Sequence, residues 1–461
     1  SKNIITVLLL LSGMFWSGNV WGQTTYTWTS GTTWLGGTWN YTTYTGANTY
    51  PGNKTTTTNN DIAYFNNNTN TSVTNNYINM NTQSGTHYLG AVDFGTSATT
   101  ARAISNSSSS TSGIMYLNGV TLNSVANTVI WNESSATHSF TVANTFGIGL
   151  NNTTNNVIQI TGTGGITIAA IISGTSKNLT KSGSGSGVLL LSGANTYTGT
   201  TTITTGTLQL GVANALPIGN PGGGIILNGG TLSTGAMTGF SDGTSSTSNM
   251  GTLTLNDNSI ITLGTGLHNL YFAASNGISW TSGKVLTITG WTGTVGACTT
   301  GTAGKIFVGN SASLTEGQLA QIKFTVSGVN YPAKQLSTGE IIPALKLVVT
   351  NPGNQTAGVG FSITVTTKDF DGIARTVTAN TDITLSSSTN TIGGTFTGTI
   401  NSGFNNVTIS GVTLTVGNNA TITAVSSNGN CLVTGISTNF DVSAASGHTV
   451  TFKANGGTGS D

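Results

Sequence analysis

The sequence predicts an all-β protein whose first part is a solenoid of short stacked strands. Between residues 61 and 284, strand-length apolar runs recur that are rich in Val, Ile and Thr, and Gly, Asn or Ser follows most of them. No segment there has the i, i+3, i+4, i+7 spacing of an amphipathic helix. Strands of four or five residues cannot each bury a core alone, but strands stacked as rungs can.

The clearest rungs lie in the segment Lys181–Gly211. Its three short runs are separated by Gly- and Asn-containing turns: Val188–Leu191, Thr200–Thr205 and Thr207–Leu210. The pattern Thr-Leu-x-Leu begins at Thr207 and Thr252, and a variant begins at Thr231. The intervals of roughly 20–25 residues predict one coil of a solenoid for each recurrence.

The same segment resembles the passenger-associated transport repeat, also called the autotransporter-associated β-strand repeat. The residues that carry the resemblance are Gly193, Asn195, Tyr197, Gly199, Gly206, Leu208, Leu210 and Gly211. The resemblance implies a right-handed parallel β-helix in a secreted or surface-displayed bacterial protein. It does not imply a particular ligand.

The first 22 residues predict a cleaved signal peptide. Lys2 precedes the apolar run Ile4–Leu11, small and polar residues follow, and the mature chain is expected to begin near Gln23. The apolar run is too short to span a bilayer, and no other stretch approaches the required length. We therefore expect an exported protein, extracellular or at the cell surface, without a membrane-spanning segment.

The mature chain divides into four predicted parts. Residues 23–284 are the β-helix, beginning with a cap that contains Trp28, Trp34 and Trp39. These indoles either shield the open end of the solenoid or form a stacking platform for glycans, and the cap is the favoured interpretation. Residues 285–344 are expected to close the solenoid, with Thr315 capping a short helix and with Glu316 and Glu340 as exposed residues.

Residues 345–445 resemble a bacterial immunoglobulin-like domain. About seven short strands follow one another in about 100 residues, and Phe361, Ile363 and Val365 alternate as in a half-buried strand. Within this part, Asp369-x-Asp371-Gly372 predicts a tight turn rather than a calcium loop, because the remaining ligands of such a loop are missing.

Residues 446–461 resemble the start of an internalin-type B-repeat. They also contain one Gly-Gly-x-Gly-x-Asp unit of the kind found in calcium-binding repeats, but such repeats need several copies. The natural chain is expected to continue past Asp461.

Composition excludes some partners. Charged residues are only 5% of the chain and the net charge is +1, so nucleic acid is not an expected partner. Cys298 and Cys431 are far apart in sequence and are expected to be unpaired. No motif for a metal or other cofactor is present, and none is expected.

Catalysis is not expected either. Glycosidase chemistry needs two carboxylates at a defined separation. The acidic residues before position 344 form no pair on one rung, although Asp242 and Asp257 could meet on neighbouring coils. The histidines are isolated and are expected to be surface or corner residues: His87, His138, His268 and His448. We therefore assign no catalytic residues and predict a protein that is not an enzyme.

The leading functional hypothesis is an adhesin-like surface protein. A long, uncharged, hydroxyl-rich face would make many weak contacts with glycans, surfaces or other cells, and avidity would multiply them. The alternative is a structural subunit of an extracellular filament or surface layer, in which copies of the chain join end to end.

Overall fold

The computed structural model describes residues 25–30, 38–41, 59–66, 77–79, 85–105, 113–141, 146–152, 155–219, 223–235, 240–245, 247–427 and 431–447. The predicted signal peptide, Trp34 and residues 448–461 of the last predicted part lie outside these ranges. Within the described ranges nearly every regular element is a strand, and the helix α1 (Glu316–Ala320) is a single short turn.

The described residues form two compact units. The first unit takes its described residues from Ser1–Gly293, Thr300–Val326 and Gln335–Ile341, and the second from Thr294–Thr299, Ser327–Lys334 and Ile342–Asp461. The strands β29 (Val329–Gln335) and β30 (Ile341–Pro343) contain residues of both units.

The strands of the first unit are β1 (Thr25–Ser30), β2 (Thr38–Tyr41), β3 (Ile62–Phe65), β4 (Tyr77–Asn79), β5 (Gly85–Leu89), β6 (Ala91–Phe94), β7 (Ala103–Ser105), β8 (Gly113–Leu117), β9 (Val120–Leu122), β10 (Val125–Asn132), β11 (His138–Phe140), β12 (Phe146–Leu150), β13 (Asn155–Ile160), β14 (Ile166–Ile168), β15 (Ile171–Ser173), β16 (Asn178–Ser182), β17 (Val188–Leu191), β18 (Thr201–Ile203), β19 (Thr207–Leu210), β20 (Ile225–Asn228), β21 (Thr231–Ser233), β22 (Phe240–Asp242), β23 (Leu253–Asp257), β24 (Ser259–Thr262), β25 (His268–Phe272), β26 (Leu286–Thr289), β27 (Gly304–Val308) and β28 (Ile322–Val326).

These strands form four sheets. The first sheet has the order β2-β1-β3-β6-β10-β13-β16-β18-β20-β23, with β9 also on β10, and the second contains β28-β26-β24-β21-β19-β17-β14-β11-β7-β4. The third sheet is β15-β12-β8-β5 and the fourth is β22-β25-β27. The pairings are parallel, except that β1–β2 and β9–β10 are antiparallel.

The core of this unit is built by stacking like residues on successive rungs. In the second sheet, Leu189 pairs with Leu208, Leu208 with Leu232, and Leu232 with Ile261. All four side chains are fully buried, and each such burial is worth roughly 1.5–3 kcal/mol. The Thr-Leu pattern at Thr207 therefore continues at Thr231 on the next coil. The pattern at Thr252 precedes β23 in the first sheet, and the residue that follows Thr231 in the second sheet is Ile260.

The strands of the second unit, after β29 and β30, are β31 (Leu345–Val349), β32 (Gln355–Thr356), β33 (Phe361–Lys368), β34 (Thr381–Ser387), β35 (Ile392–Gly394), β36 (Thr397–Ile400), β37 (Asn406–Leu414), β38 (Gly417–Ala420), β39 (Ile422–Ser426), β40 (Leu432–Val433), β41 (Gly435–Ile436) and β42 (Phe440–Ser443). Their sheets are β35-β37-β33-β31-β40, β32-β42-β38 and β36-β34-β39-β41, mainly antiparallel. Alternating residues such as Ile363, Val365, Ile383 and Leu385 share one buried core.

The expectation that the cysteines are unpaired is wrong. Cys298 and Cys431 form a disulfide with a Cα–Cα distance of 4.6 Å, although 133 positions separate them. Both belong to the second unit, because the short segment Thr294–Thr299 is part of it. The hydrogen bond from the Cys431 N–H to the Gly296 carbonyl oxygen, 3.0 Å long, holds that segment beside the second cysteine.

Two local predictions about turns and caps are confirmed and one is corrected. Thr315 caps α1 in a capping box with Gln318, and Gly372 closes a tight turn on Asp369 with φ of +81°. Glu340, expected to be exposed, is buried, and its two carboxylate oxygens accept hydrogen bonds from the Gly301 N–H and the Thr300 hydroxyl. These two donors replace the water that the carboxylate loses on burial.

Candidate functional site

The residues of the repeat signature lie inside the first unit and join neighbouring coils. Asn195 is buried, its Oδ1 accepts the N–H of Ile172 at 2.8 Å, and its Nδ2 donates to the Ala215 carbonyl oxygen at 2.6 Å. One amide thereby satisfies backbone groups about 20 residues to either side in the chain. The buried Tyr197 hydroxyl pairs with the Thr201 hydroxyl at 2.6 Å.

The glycines of the signature allow the coils to approach closely. A Cβ atom on Gly199 would collide with the Lys177 carbonyl, and one on Gly193 would lie 2.8 Å from the Ala169 carbonyl oxygen. Gly206 has φ of +68°, which favours glycine. A Cβ on Gly211 would lie 2.5 Å from the Ser192 hydroxyl, while Leu208 and Leu210 are fully buried. The signature therefore builds the stack of strands, and its four side chains are buried.

The predicted tryptophan platform is only partly described. Trp28 in β1 and Trp39 in β2 stand opposite each other in the antiparallel register, and Trp34 lies outside the described residues. The register places two of the three predicted residues side by side at the end of the first sheet. Their role as a cap or as a glycan platform stays a prediction.

An aromatic pair on the outer face of the third sheet was not found from the sequence. Tyr88 in β5 and Tyr116 in β8 pair in register, and their rings stack with centroids 5.1 Å apart and planes at 18°. Both side chains are half-buried, whereas Leu89 and Leu117 beside them are fully buried. Rings at this separation are offset, so part of each face is left uncovered by its neighbour.

A glycine in the neighbouring strand makes room for the Tyr116 ring of this pair. Gly149 in β12 pairs with Tyr116, and a Cβ atom there would overlap the tyrosine ring. Gly147 is two residues before Gly149 and therefore on the same face of the strand. It lies between Ile114 and Ile171, and the Ile171 side chain is 46% exposed. The Tyr116 ring therefore lies over the buried Gly149, and beyond it the half-buried Gly147 stands between two aliphatic side chains.

A sequence signal for this site existed. The dipeptide Tyr-Leu occurs at Tyr88 and at Tyr116, one coil apart, at the end of a five-residue strand that begins with glycine in both cases. Because side chains alternate between the two faces of a strand, a buried Leu after Tyr places the Tyr outside. Two such tyrosines in register form an aromatic column, but the sequence alone does not show that these two strands pair in that register.

The acidic residues are arranged differently from the prediction. Asp242 lies in the fourth sheet and is fully buried, whereas Asp257 lies in the first sheet and forms an ion pair of 2.6 Å with Lys284. Asp242 and Asp257, which the spacing alone allowed to meet on neighbouring coils, therefore lie in different sheets. Asp93 and Glu133 do interact: burial, with the charge of Glu133 second, raises the pKa of Asp93 to about 7.

The histidines are buried rather than at the surface, as far as the chain is described. His138 accepts a hydrogen bond at Nδ1 from the Arg102 N–H, 3.2 Å away, so the neutral ring carries its proton on Nε2. Its Nε2 lies 2.9 Å from the Ser134 hydroxyl, which donates to Asn132 Oδ1. The His138 Nε2–H therefore donates to the Ser134 hydroxyl oxygen. A histidine that activates a serine must instead accept the proton of the hydroxyl.

A cleft in the second unit is lined by Gly296, Tyr331, Arg375, Thr376 and Leu432, among others. The Arg375 guanidinium at its wall already pairs with Asp369, Nε to Oδ2, at 2.7 Å. The charge in this cleft is thus compensated within the protein.

Replacing the buried Asp242 by asparagine is expected to change how stability depends on pH. Burial raises the pKa of Asp242 to about 7, above the ordinary value of an unfolded chain, and hydrogen bonds from the Leu216 and Ala215 N–H groups only partly oppose this shift. The folded protein therefore holds the Asp242 proton more tightly than the unfolded chain does. This difference adds to the free energy of unfolding at pH 4, and the contribution is lost as the pH rises to 7. Over this pH range the free energy of unfolding of Asp242→Asn should rise by about 4 kcal/mol relative to that of the wild type.

The measurement is denaturant unfolding of both proteins at several pH values, with tryptophan fluorescence as the probe. Contributions of Asp93, His138 and His268 cancel in the difference between variant and wild type. Asp257→Asn is the control of opposite sign, because the hydrogen bond from Lys284 lowers the pKa of Asp257. A difference between Asp242→Asn and wild type that stays constant from pH 4 to 8 would contradict the prediction.

Residues 179–210 match the family model described as the passenger-associated-transport-repeat. This segment contains seven of the eight signature residues and suggests an exported surface protein of the autotransporter passenger type. No curated protein and no solved structure shows significant similarity to the chain. Among the described residues, no helix is long and apolar enough to cross a bilayer.

Proposed function

We propose that this chain is a non-catalytic, adhesin-like surface protein that binds glycans through aromatic side chains on the outside of a β-helix. The observation that carries the proposal is the half-buried, offset stack of Tyr88 and Tyr116 on the outer face of the third sheet. Aromatic faces pair well with the apolar faces of sugar rings, and a hydroxyl at the ring edge can bond to a sugar hydroxyl. The tryptophans Trp28, Trp34 and Trp39 are proposed as a second contact area.

The proposed architecture is a right-handed β-helix followed by an immunoglobulin-like sandwich and the start of a B-repeat. Parallel pairing without a register shift from β14 to β28 in the second sheet supports the β-helix. Antiparallel sheets around one shared apolar core support the sandwich.

Export through a cleaved signal peptide is part of the proposal. The disulfide between Cys298 and Cys431 supports it, because such bonds persist in oxidising compartments and are rare in the cytosol. The repeat match supports the same location.

The proposed binding mechanism is geometric. Neighbouring strands are about 4.8 Å apart, which is close to the length of one pyranose residue in a polysaccharide, so consecutive rungs can contact consecutive sugars. Single contacts are weak, and a polymer that meets several of them gains affinity through avidity. Because the Tyr88–Tyr116 face carries no charge, this binding should not depend on salt.

Tyr116→Ala is expected to lower affinity for a neutral glycan ligand by about tenfold, since it removes one ring of the stack. The chain from Gln23 is screened against a panel of polysaccharides, and isothermal titration then compares variants on the best ligand. Tyr116→Phe keeps the ring face and should bind within about threefold of wild type. Equal binding by the wild type and Tyr116→Ala, with unchanged thermal unfolding, would remove the Tyr88–Tyr116 pair from the proposal.

The alternative, a filament or surface-layer subunit, predicts self-assembly without glycan. Strand β2 is antiparallel to β1 at the end of the first sheet, so another parallel coil cannot simply continue the stack there. Electron microscopy over a range of concentrations separates the two functions. Regular filaments would favour self-assembly, and separate particles would favour the adhesin.

A further inference from the structure

The fourth sheet carries a second aromatic pair, and its surroundings differ from those of the first. Tyr271 in β25 and Phe307 in β27 pair in register, with ring centroids 4.7 Å apart and planes at 13°. Both are half-buried, while Leu270, Phe272, Ile306 and Val308 beside them are buried. The two rings therefore lie on the outer face of the sheet.

A polar column runs beside these rings on the same face. Ser241 pairs with Asn269, and Asn269 pairs with Lys305. Asn269 lies two residues before Tyr271 and Lys305 lies two residues before Phe307, so their side chains share the face of the rings. The Asn269 Nδ2 donates to the Ser241 hydroxyl at 3.4 Å. This places one amide and one ammonium next to two aromatic rings.

Lys305 supplies a positive charge that the protein does not compensate there. In the described part of the chain the ion pairs are Lys284–Asp257 and Arg375–Asp369, and neither includes Lys305. Asp242 is fully buried on the inner side. Glu340 forms a backbone bridge with Phe307, but its buried carboxylate accepts from the Thr300 hydroxyl and the Gly301 N–H and forms no ion pair with Lys305. On a chain with so few charges, an uncompensated ammonium beside two rings selects for an anionic ligand.

The column before Tyr271 ends in glycine. A Cβ atom on Gly243 would lie 3.0 Å from the Tyr271 Cβ and 2.7 Å from the Ser248 carbonyl oxygen. Gly243 is itself buried beneath the backbone of Ser248 and Asn249, so the aromatic column begins at Tyr271. A ligand therefore reaches the two half-buried rings from the outer face of the sheet, not from this rung.

We propose that this face binds an acidic polysaccharide, with a uronate residue as the recognised unit. The pyranose ring contacts Tyr271 and Phe307, the carboxylate pairs with the Lys305 ammonium, and a hydroxyl meets the Asn269 amide. This inference rests on the proposed glycan-binding function and assigns it a ligand class at a site separate from Tyr88 and Tyr116.

The test compares one polymer in two charge states, polygalacturonate and its methyl ester, on the full chain from Gln23. At low salt, Lys305→Met should lower affinity for polygalacturonate about threefold to tenfold and leave affinity for the ester unchanged. Tyr271→Ala should weaken binding of both polymers. Lys323→Met is the matched control, because it removes the same charge from a half-buried lysine on the second sheet and should change neither affinity.

The outcomes separate this inference from the proposed function. If Lys305→Met loses affinity for polygalacturonate while Tyr116→Ala binds glycans as the wild type does, the result supports the acidic site and rejects the Tyr88–Tyr116 pair. Equal wild-type affinity for acid and ester, or equal effects of Lys305→Met and Lys323→Met, would overturn the acidic site. If the wild type binds no polysaccharide of the panel and neither polymer, both fail.

Discussion

Replacing Cys431 by serine is expected to lower the free energy of unfolding of the second unit by about 4–5 kcal/mol. The disulfide to Cys298 closes a loop with a sequence separation of 133, and cross-linking so long a loop removes much entropy from the unfolded chain. The Gly296–Cys431 hydrogen bond depends on the same closure, because it holds Thr294–Thr299 beside the second cysteine. Hydrogen exchange of residues 345–445, read by mass spectrometry, measures the loss.

The controls follow from the geometry. Cys298→Ser should cost the same amount, and the double replacement should cost no more than either single one, because all three open one bond. All eight tryptophans precede Thr294, so tryptophan fluorescence reports the first unit, which should unfold as in the wild type. Unchanged exchange in residues 345–445 would show that the bond does not stabilise the second unit.

Replacing Asn132 by alanine is expected to destabilise the first unit by about 4 kcal/mol. Asn132 is fully buried, and its Nδ2 lies within 3.1 Å of the carbonyl oxygens of Ala136, Gly164 and Gly165. Its Oδ1 accepts from the Ser134 N–H and hydroxyl. Alanine removes the Asn132 partner of the Gly164 carbonyl oxygen and of the Ser134 N–H, whereas the Ala136 and Gly165 carbonyl oxygens keep the Ser134 hydroxyl and the His138 N–H. Each orphaned group costs roughly 1–3 kcal/mol.

Urea unfolding followed by tryptophan fluorescence measures this loss. Asn276→Ala is the matched control, because Asn276 is exposed and makes one hydrogen bond, to the Ala312 carbonyl oxygen at 3.1 Å. That replacement should change stability by less than about 0.5 kcal/mol. Similar losses in the two variants would contradict the assigned role of Asn132.

The strands were predictable because their signals are local. Val188–Leu191 is a short apolar run bounded by Gly-containing turns and forms a strand, and Gly206 takes the positive φ that its place in a turn suggests. Assigning strands to sheets was harder, since a strand of three or four residues carries too little pattern to fix its partner. The pattern at Thr252 was counted as a further coil because its residues resemble those at Thr207, although the two strands lie in different sheets.

The candidate site and the disulfide depend on contacts that spacing alone does not reveal. The Tyr88–Tyr116 and Tyr271–Phe307 columns exist only once the register between coils is known. His138 and Glu340 were expected at the surface because they are polar, but specific hydrogen-bond partners from other coils allow their burial. Cys298 and Cys431 meet because a six-residue segment belongs to the second unit.

The position of the disulfide also has a mechanical consequence. In the proposed adhesin role the chain would carry tension, and a domain that unfolded under load would lengthen the tether. The bond between Cys298 and Cys431 removes 133 residues from the path of that force. At full extension those residues would add roughly 450 Å, so even a ruptured second unit keeps the tether short while the bond is intact.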